Sequence, residues 1–246
     1  MNIGSLNTPF IYRGEELIYP NYVKDGLVLH YDFSGMTNAD TSRGIAKDLS
    51  GNGNHGELQN FNFTEESGYE GKGLKFDGVD DRIISINPLF YQQPENQSWS
   101  VELVLKTHHL DEGTVVNKLV SGINLGLDLR KLGSDDTQVT FLNYVANSAV
   151  SYLYSSNKIN LGELVHVVFS YDSSKLENKI VINSSYIDSL IIQFDTFPPT
   201  GMQKNLSFSN KKNVFYSTKI YNRTLTPEEI AHNYAIEKER FNIQEV

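Results

Sequence analysis

A chain of 246 residues with 39% hydrophobic content is long enough to bury a full core, either as one large domain or as two small ones. It has no cysteine, which removes disulfides, thiolate metal sites and cysteine nucleophiles together. A formal charge of −9, with Lys and Arg scattered, argues against a nucleic-acid partner, and no stretch reaches the roughly twenty apolar residues of a membrane span.

Residues 1–25 read as an N-terminal arm or attachment segment: Gly14-Glu15-Glu16-Leu17-Ile18-Tyr19-Pro20 has no helical period and stops at proline. The first ten residues lack the basic and apolar regions of a signal peptide, so no exported leader is expected. Residues 26–246 read as a single domain. Short runs rich in β-branched and aromatic residues recur between clusters of Gly, Asn, Asp and Ser, which predicts an antiparallel all-β domain. Strands are predicted at 27–33, 74–76, 82–86, 99–106, 114–120, 124–129, 138–144, 150–154, 164–171, 179–183, 190–193, 206–209 and 214–221. In the run from Trp99 to Lys106, Trp99, Val101, Leu103 and Leu105 share one face, predicted as core; Ser100, Glu102 and Lys106 share the other, predicted as mostly wet. The run from Leu164 to Tyr171 is largely apolar on both sides and predicts a central strand, with His166 as a buried packing residue. One helix is predicted near the C-terminus, with Thr226 capping the amide of Glu229, Pro227 at the first position and Glu229 returning a bond to the cap. Its Ile230 and Tyr234 would dock on the sheet, while Glu228, Glu237, Lys238 and Arg240 would stay solvated.

Three segments, in order, carry a resemblance. The first joins Gly26-Leu27-Val28-Leu29-His30-Tyr31-Asp32-Phe33 to Asp48-Leu49-Ser50-Gly51-Asn52-Gly53-Asn54-His55-Gly56. The second is Gly73-Leu74-Lys75-Phe76-Asp77-Gly78-Val79-Asp80-Asp81-Arg82-Ile83. The third runs from Glu163-Leu164-Val165-His166 to Lys219-Ile220-Tyr221-Asn222-Arg223-Thr224-Leu225-Thr226-Pro227-Glu228-Glu229-Ile230. Together they resemble the laminin-G-like family of the concanavalin-A-like lectin and glucanase superfamily. The resemblance implies an all-β, antiparallel two-sheet jelly-roll sandwich with one short C-terminal helix. It further implies glycan or protein binding, and similar patterns are common in virion proteins of tailed bacteriophages.

The glucanases of that superfamily need two carboxylates about 5 to 5.5 Å apart, usually supplied from one strand, and no Glu-x-Asp-x-x-Glu run is present. Nor is there a Gly-x-Ser-x-Gly elbow, a His-Glu-x-x-His or a phosphate-binding loop, so the chain is expected not to be an enzyme. Asp77, Asp80 and Asp81 gather three carboxylates in one glycine-containing turn, a set suited to calcium, or else to folding the turn through side-chain to backbone hydrogen bonds. Members of the family that the chain resembles sometimes hold calcium near the sandwich rim, and the resemblance makes Asp48 and Asn54 further candidates for such a site. Tyr144, Tyr152 and Tyr154, beside Asn143 and Asn147, form the candidate carbohydrate-binding rim. The function expected is a virion component, in tail, fibre or capsid surface, that binds host surface glycan and meets other virion proteins through its arm. The alternative is a purely structural decoration or connector, and after that a glycan depolymerase. Multivalency would favour a homo-oligomer, although no heptad pattern enforces one.

Overall fold

The computed structural model describes residues 11–13, 16–19, 21–86, 98–107, 116–121, 125–130, 138–146, 150–191, 207–208 and 212–244. In chain order the strands are β1 (Ile11–Arg13), β2 (Glu16–Tyr19), β3 (Leu27–Asp32), β4 (Ile45–Ala46), β5 (Gly56–Gln59), β6 (Gly68–Glu70), β7 (Gly73–Lys75), β8 (Arg82–Ser85) and β9 (Trp99–Thr107). They continue as β10 (Val116–Ser121), β11 (Leu125–Arg130), β12 (Gln138–Ala146), β13 (Val150–Tyr154), β14 (Ile159–Asn160), β15 (Leu164–Asp172), β16 (Glu177–Ile182), β17 (Tyr186–Ile191), β18 (Ser207–Phe208) and β19 (Asn213–Tyr221), before the helix α1 (Pro227–Phe241).

β1 and β2 pair with each other as a hairpin. The other strands form two antiparallel sheets. Among the described residues one has nine strands in the order β13-β12-β11-β10-β18-β8-β5-β4, with β14 beside β12; the other has eight in the order β17-β16-β15-β9-β19-β7-β6, with β3 beside β19. Period-two alternation turns one row of each sheet inward. Leu29 and Tyr31 of β3, Val101, Leu103 and Leu105 of β9, and Val167 and Phe169 of β15 meet Leu58, Ile83 and Leu153 of the nine-stranded sheet in one apolar core. Trp99 belongs to that core at 9% exposure, as its register predicts. The expected two-sheet sandwich with one C-terminal helix is therefore the observed fold.

The motif after β3 is architectural. The buried Asp48 carboxylate accepts from the amides of His30 (2.9 Å), Ser50 (2.9 Å) and Asn54 (2.9 Å) and from Ser50 Oγ (2.8 Å). The amides of Asn52 and Asn54 donate in turn to the carbonyls of Leu27 and Val28. The loop is thereby tied to β3, and Gly56 closes it where a side chain has no room: a Cβ there would lie 2.6 Å from Ile83 Cγ2. The closing motif works similarly. Arg223 grips Glu229 with two bonds of 2.7 Å, and Thr226 and Glu229 form the expected reciprocal cap on α1.

The helix lies on the outer face of the eight-stranded sheet, and here the sequence expectation needs correction. Ser100 and Glu102, expected on a wet face, are 0% and 1% exposed, and Glu237 and Arg240, expected in solvent, are 0% and 5% exposed. Lys219 Nζ donates to Glu102 (2.9 Å), to Ser217 Oγ (3.2 Å) and to Glu237. Asn233 Nδ2 donates to Glu102 (2.7 Å) and Tyr221 OH (3.0 Å), and Arg240 pairs with Asp32 (2.5 Å) and Glu237 (3.1 Å). Charges reach this interface because partners from three strands and the helix satisfy one another, which compensates their desolvation. Burial alone would raise the Glu102 carboxyl, but Lys219 first, and His166 3.4 Å away, hold it well below the usual range. The chain leading into β3 joins the same assembly: Tyr22 is 3% exposed and Val23 N donates to Asn233 Oδ1 (3.0 Å).

Candidate functional site

The eight-stranded sheet has one face in the core and the other under α1, so the outward face of the nine-stranded sheet is the broad sheet surface that α1 does not cover. Its backbone register sets positions 152, 144, 126, 121, 207, 84 and 57 side by side across seven strands. In sequence these are Tyr152, Tyr144, Gly126, Ser121, Ser207, Ile84 and Glu57. The neighbouring row, 153, 143, 127, 120, 208, 83 and 58, contains Leu153, Ile83 and Leu58 from the core, so the first row is the outward one.

This register divides the tyrosine-asparagine set expected from sequence. Tyr144 and Tyr152 are cross-strand partners on the outward row, and Tyr154, half-buried, lies two residues further along the same face. Asn143 pairs with Leu153 and falls in the inward row. Asn147 lies outside the described residues.

Sequence reading did not single out the far side of this face. The exposed Arg82 donates from Nε to Gln59 Oε1 (2.9 Å), and Gln59 Nε2 donates to Glu57 (3.1 Å), so a polar chain runs across β8 and β5. Between it and the tyrosines lie Gly126, Ser121 and Ser207, the small positions of the row. Strands about 4.8 Å apart put β12 and β8 roughly 19 Å from each other across those positions. Strand pairing reveals this grouping, because residues 57, 82, 121, 126, 144, 152 and 207 belong to seven separate strands.

The acidic turn crosses from β7 in one sheet to β8 in the other. One oxygen from each of Asp77, Asp80 and Asp81 can be chosen so that all three lie within 4.8 Å of one another. Part of the set folds the turn: Asp81 Oδ2 accepts from Asp77 N (2.8 Å), and Asp77 Oδ1 accepts from Val79 N (2.8 Å). Asp81 Oδ1 is buried with no hydrogen-bond partner. Burial raises the Asp81 carboxyl to about 6; the Asp77 amide and Ser67 pull it down, and Asp77 and Asp80 push it up. A divalent cation would offset that repulsion and favour the ionised form. Asp48 and Asn54 lie in the loop after β3, where Asp48 accepts from the amides of His30 and Asn54 and Asn54 Nδ2 donates to Val28 O.

No family model and no curated protein matches the chain. Solved structures do. The binding domain of Paraclostridial Mosquitocidal Protein 1 is similar with a TM-score of 0.62 and 17% identity, covering 89% of this chain and 53% of that one. Domain 4 of AbnA, a GH43 extracellular arabinanase from Geobacillus stearothermophilus solved with arabinotriose, gives a TM-score of 0.60 and 23% identity, covering 85% of this chain and 98% of that one. A Trypanosoma rangeli sialidase gives 0.60 and 15% identity, covering 89% of this chain but 34% of the sialidase. The chain thus spans about a third of the sialidase and half of the mosquitocidal binding domain. At these identities the likeness carries the fold alone. It also corrects the expectation that the chain is not an enzyme: a sialidase stands among the proteins that share the fold, so the architecture does not set this chain apart from enzymes.

Proposed function

We propose that the chain is a lectin-like β-sandwich that binds carbohydrate along the outward face of its nine-stranded sheet. The observation that carries this reading is the register row in which Tyr144 and Tyr152 stand together and Gly126, Ser121 and Ser207 follow. Paired tyrosines suit the apolar face of a sugar ring, and small residues beside them leave room for the next one. Arg82, Gln59 and Glu57 offer hydrogen bonds on the far side. The arabinotriose complex of AbnA domain 4 supports the same reading, as a fold likeness along nearly the whole of that domain.

The calcium reading remains part of the proposal: Asp77, Asp80 and Asp81 hold the ion, which stiffens the crossing between the sheets. The setting proposed is the surface of a tailed-phage virion, with residues 1–25 as the attachment to neighbouring virion proteins and host surface glycan as the ligand. That setting is supported by the three sequence segments and their order. A glycan array probed with the purified chain, with calcium and with chelator, tests the reading. Selective binding that drops about tenfold in Tyr144→Ala and Tyr152→Ala supports it. No binding to any glycan would leave the sandwich as a structural decoration or connector.

A further inference from the structure

We infer that α1 and the lead-in residues 21–24 form an acid-releasable latch on the outer face of the eight-stranded sheet, with His30 as its proton sensor. The lead-in is held to the helix by four bonds: His232 Nε2 to Asn21 O (2.8 Å), Val23 N to Asn233 Oδ1 (3.0 Å), Tyr22 OH to Glu237 (3.3 Å) and Arg240 Nη1 to Tyr22 OH. The Tyr22 ring lies among basic groups. Lys219 Nζ sits 3.9 Å from its centroid, Arg240 Cζ 5.8 Å, and the His30 ring meets it edge-on at 5.1 Å.

His30 is 3% exposed, and neither of its ring nitrogens has a hydrogen-bond partner. The groups facing it come from every element around it: Asp32 on its own strand, Lys219 on β19, Arg240 on α1, and Tyr22 and Lys24 on the lead-in, with Asp48 bonded to its backbone amide. The acids nearby are already engaged, Asp32 by Arg240, Glu237 by Lys219 and Arg240, and Asp48 by its loop. A proton on His30 therefore finds no free acceptor and adds a third cation beside Tyr22.

Burial first, then Lys219, push the His30 pKa from 6.5 down to about 3. The linkage follows from that direction. The closed latch holds His30 neutral and the open latch lets it protonate, so His30 contributes its full stability above the ordinary value. That contribution is lost as pH falls from there toward about 3. The release is local because Leu29 and Tyr31 face the sandwich core, while His30 lies between them on the helix side. Lifting Tyr22 and α1 frees the imidazole without parting β3 from β19. Two other histidines stand at this face: His232, on α1, lies with Nε2 2.8 Å from Asn21 O, and His166 lies 3.4 Å from Glu102.

Hydrogen–deuterium exchange of the intact chain, corrected for intrinsic rates, tests the inference near neutrality and again about two pH units lower. The expected result is that opening of α1 amides rises roughly tenfold per pH unit while β9 and β15 amides do not follow. His30→Phe, which keeps the ring contact with Tyr22, should flatten that slope, and His30→Gln provides a second variant should the first fail to fold. The latch is overturned if α1 and β9 amides accelerate together, if α1 shows no pH dependence in the wild type, or if the α1 slope persists in either variant.

Discussion

The centre of the eight-stranded sheet, β9, β15 and β19, is covered on both faces, and the two coverings differ in kind. Toward the nine-stranded sheet it presents Val101, Leu103, Leu105, Val165, Val167 and Phe169, all fully buried and apolar. Toward α1 its centre presents Glu102, His166 and Lys219, with apolar packing at two ends: Leu27, Val168, Tyr221, Leu225 and Ile230 at one, Val104, Phe241 and Ile243 at the other. An apolar interface fills space and tolerates repacking. An ionic one requires every partner in place, since one missing charge leaves another buried and unpaired. The sandwich interior thus supplies bulk stability, and the ionic face fixes where α1 and the lead-in sit.

The largest effect that would break this contrast is Lys219→Met, which strands Glu102 and Glu237. It should cost about 3–5 kcal/mol in urea unfolding, whereas replacing Glu102, Lys219 and Glu237 together by apolar residues should recover most of the loss. A single variant as stable as wild type would show that the cluster is not truly desolvated. In the sandwich interior, Phe169→Ala should cost about 3–4 kcal/mol through the cavity it leaves, and no neighbouring polar replacement should restore it.

A smaller effect with a definite sign comes from the acidic turn. The Asp81 pKa is raised to about 6, so its contribution is present below the ordinary value of 3.8 and is lost as pH rises through 6. Above that pH and without calcium, Asp81→Asn should raise the melting temperature; with calcium it should abolish any calcium-dependent rise. Thermal melts in both conditions check this, and an unchanged calcium response in the variant would remove Asp81 from the ligand set. Thr226→Ala should cost about 1 kcal/mol, read by denaturation, because it deletes one bond of the reciprocal cap.

Much of the fold was legible because it is local. The alternation in β9 and β15, the cap at Thr226 and the order of the three motifs are all short-range patterns. Very short strands such as β4 and β6 escaped, since two or three residues cannot display a period. The ionic face escaped for another reason. Glu102, Lys219 and Glu237 look solvated one at a time, and only a fold that brings residues 117 positions apart into contact reveals the pairing. The candidate site was half legible: Tyr144, Tyr152 and Tyr154 were singled out by type, but Arg82, Gln59 and the small positions between depend on strand order.

The most direct test of the carbohydrate reading is isothermal titration of a glycan chosen from the array against wild type and Tyr152→Ala, with both folds confirmed by their melting curves. Binding by wild type that weakens about tenfold in the variant is the predicted result. Equal affinity in the two would contradict it and move the ligand off the outward face of the nine-stranded sheet.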